Sequence, residues 1–116
     1  MLSHRNRFHG HGSLRYLYNK GTKTRSRELG LYYIDNKNRV HSRFAIVVSK
    51  KVHKSAAKRN RIRRRIYEIV RLELDNIKKP YDFIITVFTP DLLELEPEQL
   101  KKLVTELLAK EKLISL

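Results

Sequence analysis

Between Asp35 and Glu68 the chain has no acidic residue, and nine of the sixteen residues from Lys50 to Arg65 are Lys or Arg. Ile62, Ile66, Ile69, Val70 and Ile77 nevertheless recur within one arc of a 3.6-residue period. The charge is therefore carried by an ordered amphipathic helix and not by a tail. This limits the fold sharply. One face of the helix must enter a core, while the other must stay open, because no carboxylate stands at i±4 of Lys58, Arg59, Arg61 or Arg63 to relieve the repulsion. Basic residues near a helix start also oppose the macrodipole, a cost that an anion docked there offsets.

The asymmetry extends along the chain. Residues 1–65 hold 19 Lys/Arg against Glu28 and Asp35, whereas residues 66–116 hold 7 against 10 Asp/Glu; these nets of +17 and −3 give +14 overall. A surface of that sign suits a polyanion. The 116 residues suffice for one domain with one core. The absence of cysteine excludes a disulfide framework and a thiolate metal site. No apolar stretch approaches the ~18–20 residues of a membrane span, and Met1–Gly12 has no apolar signal-peptide region. The expectation is a cytoplasmic protein with no membrane or DNA partner, its residues 1–12 flexible.

Ser13 is placed to cap a short helix through Leu14, Tyr16, Leu17 and Tyr18 that stops near Gly21. Thr22–Arg27 reads as a polar first strand, Leu29–Ile34 as a second, and Asp35–Asn38 as a turn. Arg43–Val48 is apolar on both faces, which predicts a strand internal to its sheet. The basic helix is expected over Ser55–Ile77, with Asn60, Arg64, Tyr67 and Arg71 outward and Arg61 and Arg65 on a flank. Pro80 breaks it. Phe83–Val87 reads as a buried strand, and a last helix starts near Pro97 with Leu100, Leu103, Val104, Leu107 and Leu108 inward. These elements make an α/β (α+β) sandwich of three helices and a small mixed four-stranded sheet.

No catalytic set emerges. The basic half offers only Glu28 and Asp35, Asp82 and Asp91 sit at opposite ends of one strand, and the five histidines form no helical i, i+4 pair. His9 and His11 lie in a polar tail, and no resident metal or cofactor is expected. The basic helix is the stronger signal: Lys58, Arg59, Asn60, Arg61, Arg63 and Arg64, widened by Lys50, Lys51 and Lys54, suit phosphate. Tyr16, Tyr18, Tyr32, Tyr33 and Phe44 form a second, aromatic group. Packing is the plain explanation for them, but exposed rings also stack on unpaired bases. Together these features suggest a helix for structured RNA beside an aromatic groove for a single strand.

Val48-Ser49-Lys50-Lys51-Val52 followed by Arg59-Asn60-Arg61-Ile62-Arg63-Arg64 resembles the signature of the bacterial ribonuclease P protein component. The likeness extends to Arg5-Asn6-Arg7-Phe8, Tyr18-Asn19-Lys20-Gly21, Leu31-Tyr32 and Asp82-Phe83-Ile84-Ile85. It implies a left-handed β-α-β crossover, where chain physics alone favours the right-handed form. It also implies that an RNA subunit, using Mg²⁺, removes the 5′ leader of precursor tRNA, with the protein as accessory subunit. By that resemblance Lys50, Lys51, Lys54, Lys58, Arg59, Asn60, Arg61, Arg63 and Arg64 meet the RNA subunit, and Leu14, Tyr18 and Tyr32, with Phe44, line the leader cleft. One monomer per RNA is expected. Three positions depart from the family pattern: Leu14 replaces a frequent Phe, the crossover at 52–58 lacks a Gly, and Phe88-Thr89 stands where many members have Arg-Lys. The rival readings are another RNA binder, of ribosomal or chaperone type, and a protein-only nuclease using Asp82 or Asp91.

Overall fold

Helix α1 (His11–Lys20) leads into strands β1 (Thr22–Arg25), β2 (Leu29–Asp35) and β3 (Arg43–Val47). Helix α2 (Ala56–Glu73), strand β4 (Tyr81–Val87) and helix α3 (Pro97–Lys110) follow, with 3₁₀ turns at Leu74–Asn76 and Pro90–Leu93. The structure is a computed structural model describing residues 11–37 and 39–115. The readings of residues 1–10 lie outside the described residues.

The sheet order is β1-β2-β4-β3, antiparallel except for the β3–β4 pair. Strand β4, buried on both faces from Asp82 to Ile85, takes a central position. Strand β3 differs from expectation, being an edge strand and not an internal one. Its second apolar face, Ala45 and Val47, is only half-buried. Apolar residues on both sides of a strand mark burial, but here one side floors a cleft.

Paired residues share a face of the sheet. The rows Leu31–Ile85–Ile46 and Tyr33–Phe83–Phe44 turn toward α2 and α3, where Ile62, Ile66, Val70, Leu100, Val104, Leu107 and Leu108 complete the core. Each full burial of such a side chain is worth about 1.5–3 kcal/mol, so this layer dominates the fold. The rows Lys23–Tyr32–Ile84–Ala45 and Arg25–Gly30–Thr86–Val47 form the opposite face. Helix α1 packs there on β2, burying Leu17 and leaving the β3 side open.

Helix ends follow local chemistry. Helix α1 is already running at His11, so Ser13 lies inside it and is not its cap. At its other end Gly21 N–H donates to the Leu17 carbonyl at 2.8 Å. A Cβ on Gly21 would fall 2.6 Å from that oxygen, so only glycine fits. Ser55 does cap α2, its hydroxyl accepting from Lys58 N at 3.3 Å. The helix stops at Glu73, short of Ile77, because Leu74-Asp75-Asn76 tightens into a 3₁₀ turn; Asp and Asn favour such local bonding. Tyr67 also departs from the outward stripe: it is half-buried, its ring 5.7 Å from that of Phe44. Helix α3 starts at Pro97 as expected, with Gln99 Oε1 accepting from Glu96 N at 3.2 Å.

Tyr33 ties α3 to the sheet. Its hydroxyl donates to Glu111 Oε1 at 2.7 Å, and its ring meets Tyr81 edge-on at 6.0 Å. Burial first, and the bond to Glu111 second, push the phenol up to about 12 from 10.0. A group that holds its proton in the folded chain after the unfolded chain has lost it stabilises the fold less as pH rises. Stability is therefore expected to fall between pH 10 and about 12, and Tyr33→Phe should flatten the decline. Denaturant titrations across that window, giving equal slopes for the two proteins, would refute this.

Candidate nucleic-acid interface

The outer stripe of α2 is built by its inner one. With Ile62, Ile66 and Val70 fixed in the core, Asn60, Arg61 and Arg64 are left exposed, together with Lys58 at the first turn. Lys50, Lys51 and Lys54 in the crossover are exposed too. Among the described residues, none of the cations from Lys50 to Arg65 pairs with a carboxylate; the ion pairs are Arg43–Asp82, Arg71–Glu68, Lys79–Asp35 and Lys102–Glu106. The stripe ends where acid first returns: Glu68 accepts from Arg71, a bond that holds its carboxyl below the usual range.

Three arginines of the run already have protein partners. Arg59, half-buried, donates from Nη1 to the carbonyls of His53 and Lys54 at 2.8 and 2.9 Å. It thus pins the glycine-free crossover to the helix, where Ser55 N also donates to His53 Nδ1 at 3.1 Å. Arg63 Nη1 donates to Asn60 Oδ1 at 2.9 Å, which takes up the carbonyl oxygen and leaves the Asn60 amide as the group on offer. Arg65 turns inward, donating to the carbonyls of Leu92 at 2.5 Å, Leu93 at 2.9 Å and Leu95. Its acceptors lie 27 to 30 residues on, so nothing local in the sequence marks this structural role.

The aromatic group is split by the pleat of the sheet. Tyr33 and Phe44 face the helical core; Tyr32 faces α1. Phe44 is only 1% exposed and stacks on Phe83 with centroids 5.2 Å apart. The assignment of Phe44 to a cleft is corrected: strand parity turns its ring away from it. Tyr16 is exposed. Tyr18 and Tyr32 do meet, ring edge to ring face at 4.8 Å, with Tyr18 42% exposed. Half-buried Leu14 lies one helical turn before Tyr18, on the same side of α1. The Tyr18 hydroxyl is pushed up by burial first and by Tyr32 second, against a hydrogen bond with the Thr86 side chain. Thr86, unmarked in the sequence, lies on this same face of the sheet. Its partner across the sheet is Val47, and the basic crossover begins three residues later at Lys50. The tyrosine groove and the cationic patch therefore adjoin.

The carboxylates of the nuclease reading are disposed otherwise. Asp82 is 7% exposed and is gripped by Arg43, Nε to Oδ1 at 3.0 Å and Nη2 to Oδ2 at 2.5 Å. Asn36 adds a third bond to Oδ1 at 2.9 Å. Asp91 belongs to the turn after β4, its amide N–H capped by Thr89. Among the described residues there is no group of three or more His, Cys, Asp or Glu able to hold a metal, and no helix long and apolar enough to cross a membrane.

Residues 2–112 match the model of the family described as Ribonuclease P. The ribonuclease P protein component of Pseudanabaena sp. is 36% identical over 89 residues, which cover 77% of each chain. That of Clostridium botulinum is 40% identical over 80 residues, 68% of this chain and 70% of the relative. Among solved structures, Staphylococcus aureus RNase P protein superposes with a TM-score of 0.83 at 25% identity, covering 95% of this chain and 98% of that one. The Thermotoga maritima RNase P protein gives a TM-score of 0.79 at 20% identity, over 90% and 96% of the two chains, a likeness of fold.

Proposed function

This chain belongs to the bacterial ribonuclease P protein family and is a subunit of that endoribonuclease, and from this premise we propose how its surface divides the work. Lys50, Lys51, Lys54, Lys58, Asn60, Arg61, Arg63 and Arg64 dock the ribonuclease P RNA. The groove of Leu14, Tyr18 and Tyr32 receives the single-stranded 5′ leader of precursor tRNA. The RNA subunit performs the hydrolysis with its own Mg²⁺, in the cytoplasm, with one protein per RNA. The observation that carries this reading is a band of cations that, among the described residues, have no carboxylate partners, beside an open aromatic groove.

The parts contribute differently. Exposed Arg61 and Arg64 supply charge to phosphates, released counterions supplying the affinity. Arg59 acts at one remove, by ordering the crossover that presents Lys50, Lys51 and Lys54. Tyr18 and Tyr32, each held by the other, offer preformed stacking surface at little entropic cost.

Reconstitution with a ribonuclease P RNA tests this. The protein should permit precursor cleavage at a Mg²⁺ concentration where the RNA alone is slow. Tyr18→Ala should lower affinity for precursor tRNA more than for mature tRNA, by about fivefold or more at ~1–3 kcal/mol per stacked base. Failure to rescue would favour a general RNA binder, and equal losses for both tRNAs would remove Tyr18 from the groove.

A further inference from the structure

Beyond the tyrosine groove, the same face of the sheet carries another aromatic surface. Phe88 follows β4 by one residue, its N–H donating to the Glu28 carbonyl at 3.0 Å, so the strand pairing continues one step past Val87. Its ring folds over Gly30: a Cβ there would sit 2.8 Å from Phe88 Cζ and 3.0 Å from Cε2. The Arg25 guanidinium lies over the ring, 4.1 Å from the centroid. Yet 41% of Phe88 remains exposed. Glycine in a strand interior weakens it, and one common reason is close approach by another group. Here that group is a ring, seated where any side chain would evict it.

We propose that the Phe88–Arg25 stack, seated on Gly30, is a second base-stacking position for the RNA strand that occupies the Tyr18–Tyr32 groove. Three observations choose this occupant. Gly30 lies two residues from Tyr32 on the same face of β2, so the two aromatic surfaces are neighbours on one face. Lys23, Arg25 and Arg27 are exposed in or just after β1, and Glu28 is the one acid among residues 21–34, a charge that complements a phosphate backbone. A guanidinium over a ring adds cation–π attraction and a second planar surface for a base. This inference rests on the leader reading of the groove.

The test uses holoenzyme reconstituted with ribonuclease P RNA, and reads the ratio of precursor to mature tRNA affinity. Phe88→Leu keeps an apolar cover on Gly30 but removes the π face, and should lower that ratio about fivefold or more. Phe88→Tyr should retain it. Replacing leader nucleotides one at a time by abasic ones should identify one position whose loss costs the wild type but adds nothing in Phe88→Leu. A Phe88→Leu protein with an unchanged ratio, while Tyr18→Ala lowers it, would overturn the Phe88 position and leave the groove standing. If neither variant changes the ratio, the leader reading itself falls. Circular dichroism of Phe88→Leu guards against misfolding, and Gly30→Ala, which should displace the ring, provides an independent variant expected to mimic it.

Discussion

Arg61→Ala/Arg64→Ala is expected to bind ribonuclease P RNA about a hundredfold more weakly, taking roughly 1.4 kcal/mol for each charge-assisted hydrogen bond to phosphate. The salt dependence should change with it, the log–log slope flattening by about 1.4–1.8 if each arginine neutralises one phosphate. These two are chosen because both side chains are exposed on α2 and, among the described residues, neither has a carboxylate partner. Their removal strips charge without opening the core. Arg59→Ala should behave differently. It frees the His53 and Lys54 carbonyls, so part of its cost should appear as lowered stability in the absence of RNA. Titrations at several salt concentrations separate the cases. An unchanged slope in the double variant would mean that α2 does not touch phosphate.

Arg43→Met should produce the largest loss of stability, about 3–5 kcal/mol, because it strands the buried Asp82 carboxylate with only the Asn36 amide among its described hydrogen-bond donors. For a chain of this size that corresponds to a fall of roughly 12–30 °C in Tm. Arg43→Met/Asp82→Leu should recover most of it, since replacing both members of a buried pair with apolar groups is often close to neutral. The same double variant addresses the nuclease reading. If it folds and still supports cleavage in the holoenzyme, Asp82 is a structural anion that fixes β3 against β4 where they start. A single-variant loss under about 1 kcal/mol would show that the pair contributes little, as exposed pairs do.

Much of this was legible in the sequence because it depends on local pattern. The apolar period placed α2 and α3, Ser55 and Pro97 marked their starts, and Phe83–Val87 announced a buried strand. The open cationic stripe followed from the absence of acid between Asp35 and Glu68. Several readings failed, most of them where a partner distant in the chain decides. Strand β3 is an edge, since apolar character on two faces does not distinguish a sheet interior from a cleft floor. Phe44 enters the core and Tyr32 the groove because strand register assigns them opposite faces. Tyr67 is drawn inward by Phe44, and α2 ends before Ile77 because a 3₁₀ turn intervenes.

By itself, the sequence determined that a helix with one apolar and one cationic face must exist, since periodicity and net charge are properties of neighbours along the chain. Tertiary structure decided which of its arginines remain available. Arg61 and Arg64 are exposed, whereas Arg59 and Arg65 are engaged by backbone carbonyls of the crossover and of the segment after β4. A guanidinium's charge is written in its residue type, but its hydrogen-bond partners are set by which carbonyls the fold brings within about 3 Å, and for Arg65 those lie up to 30 residues away.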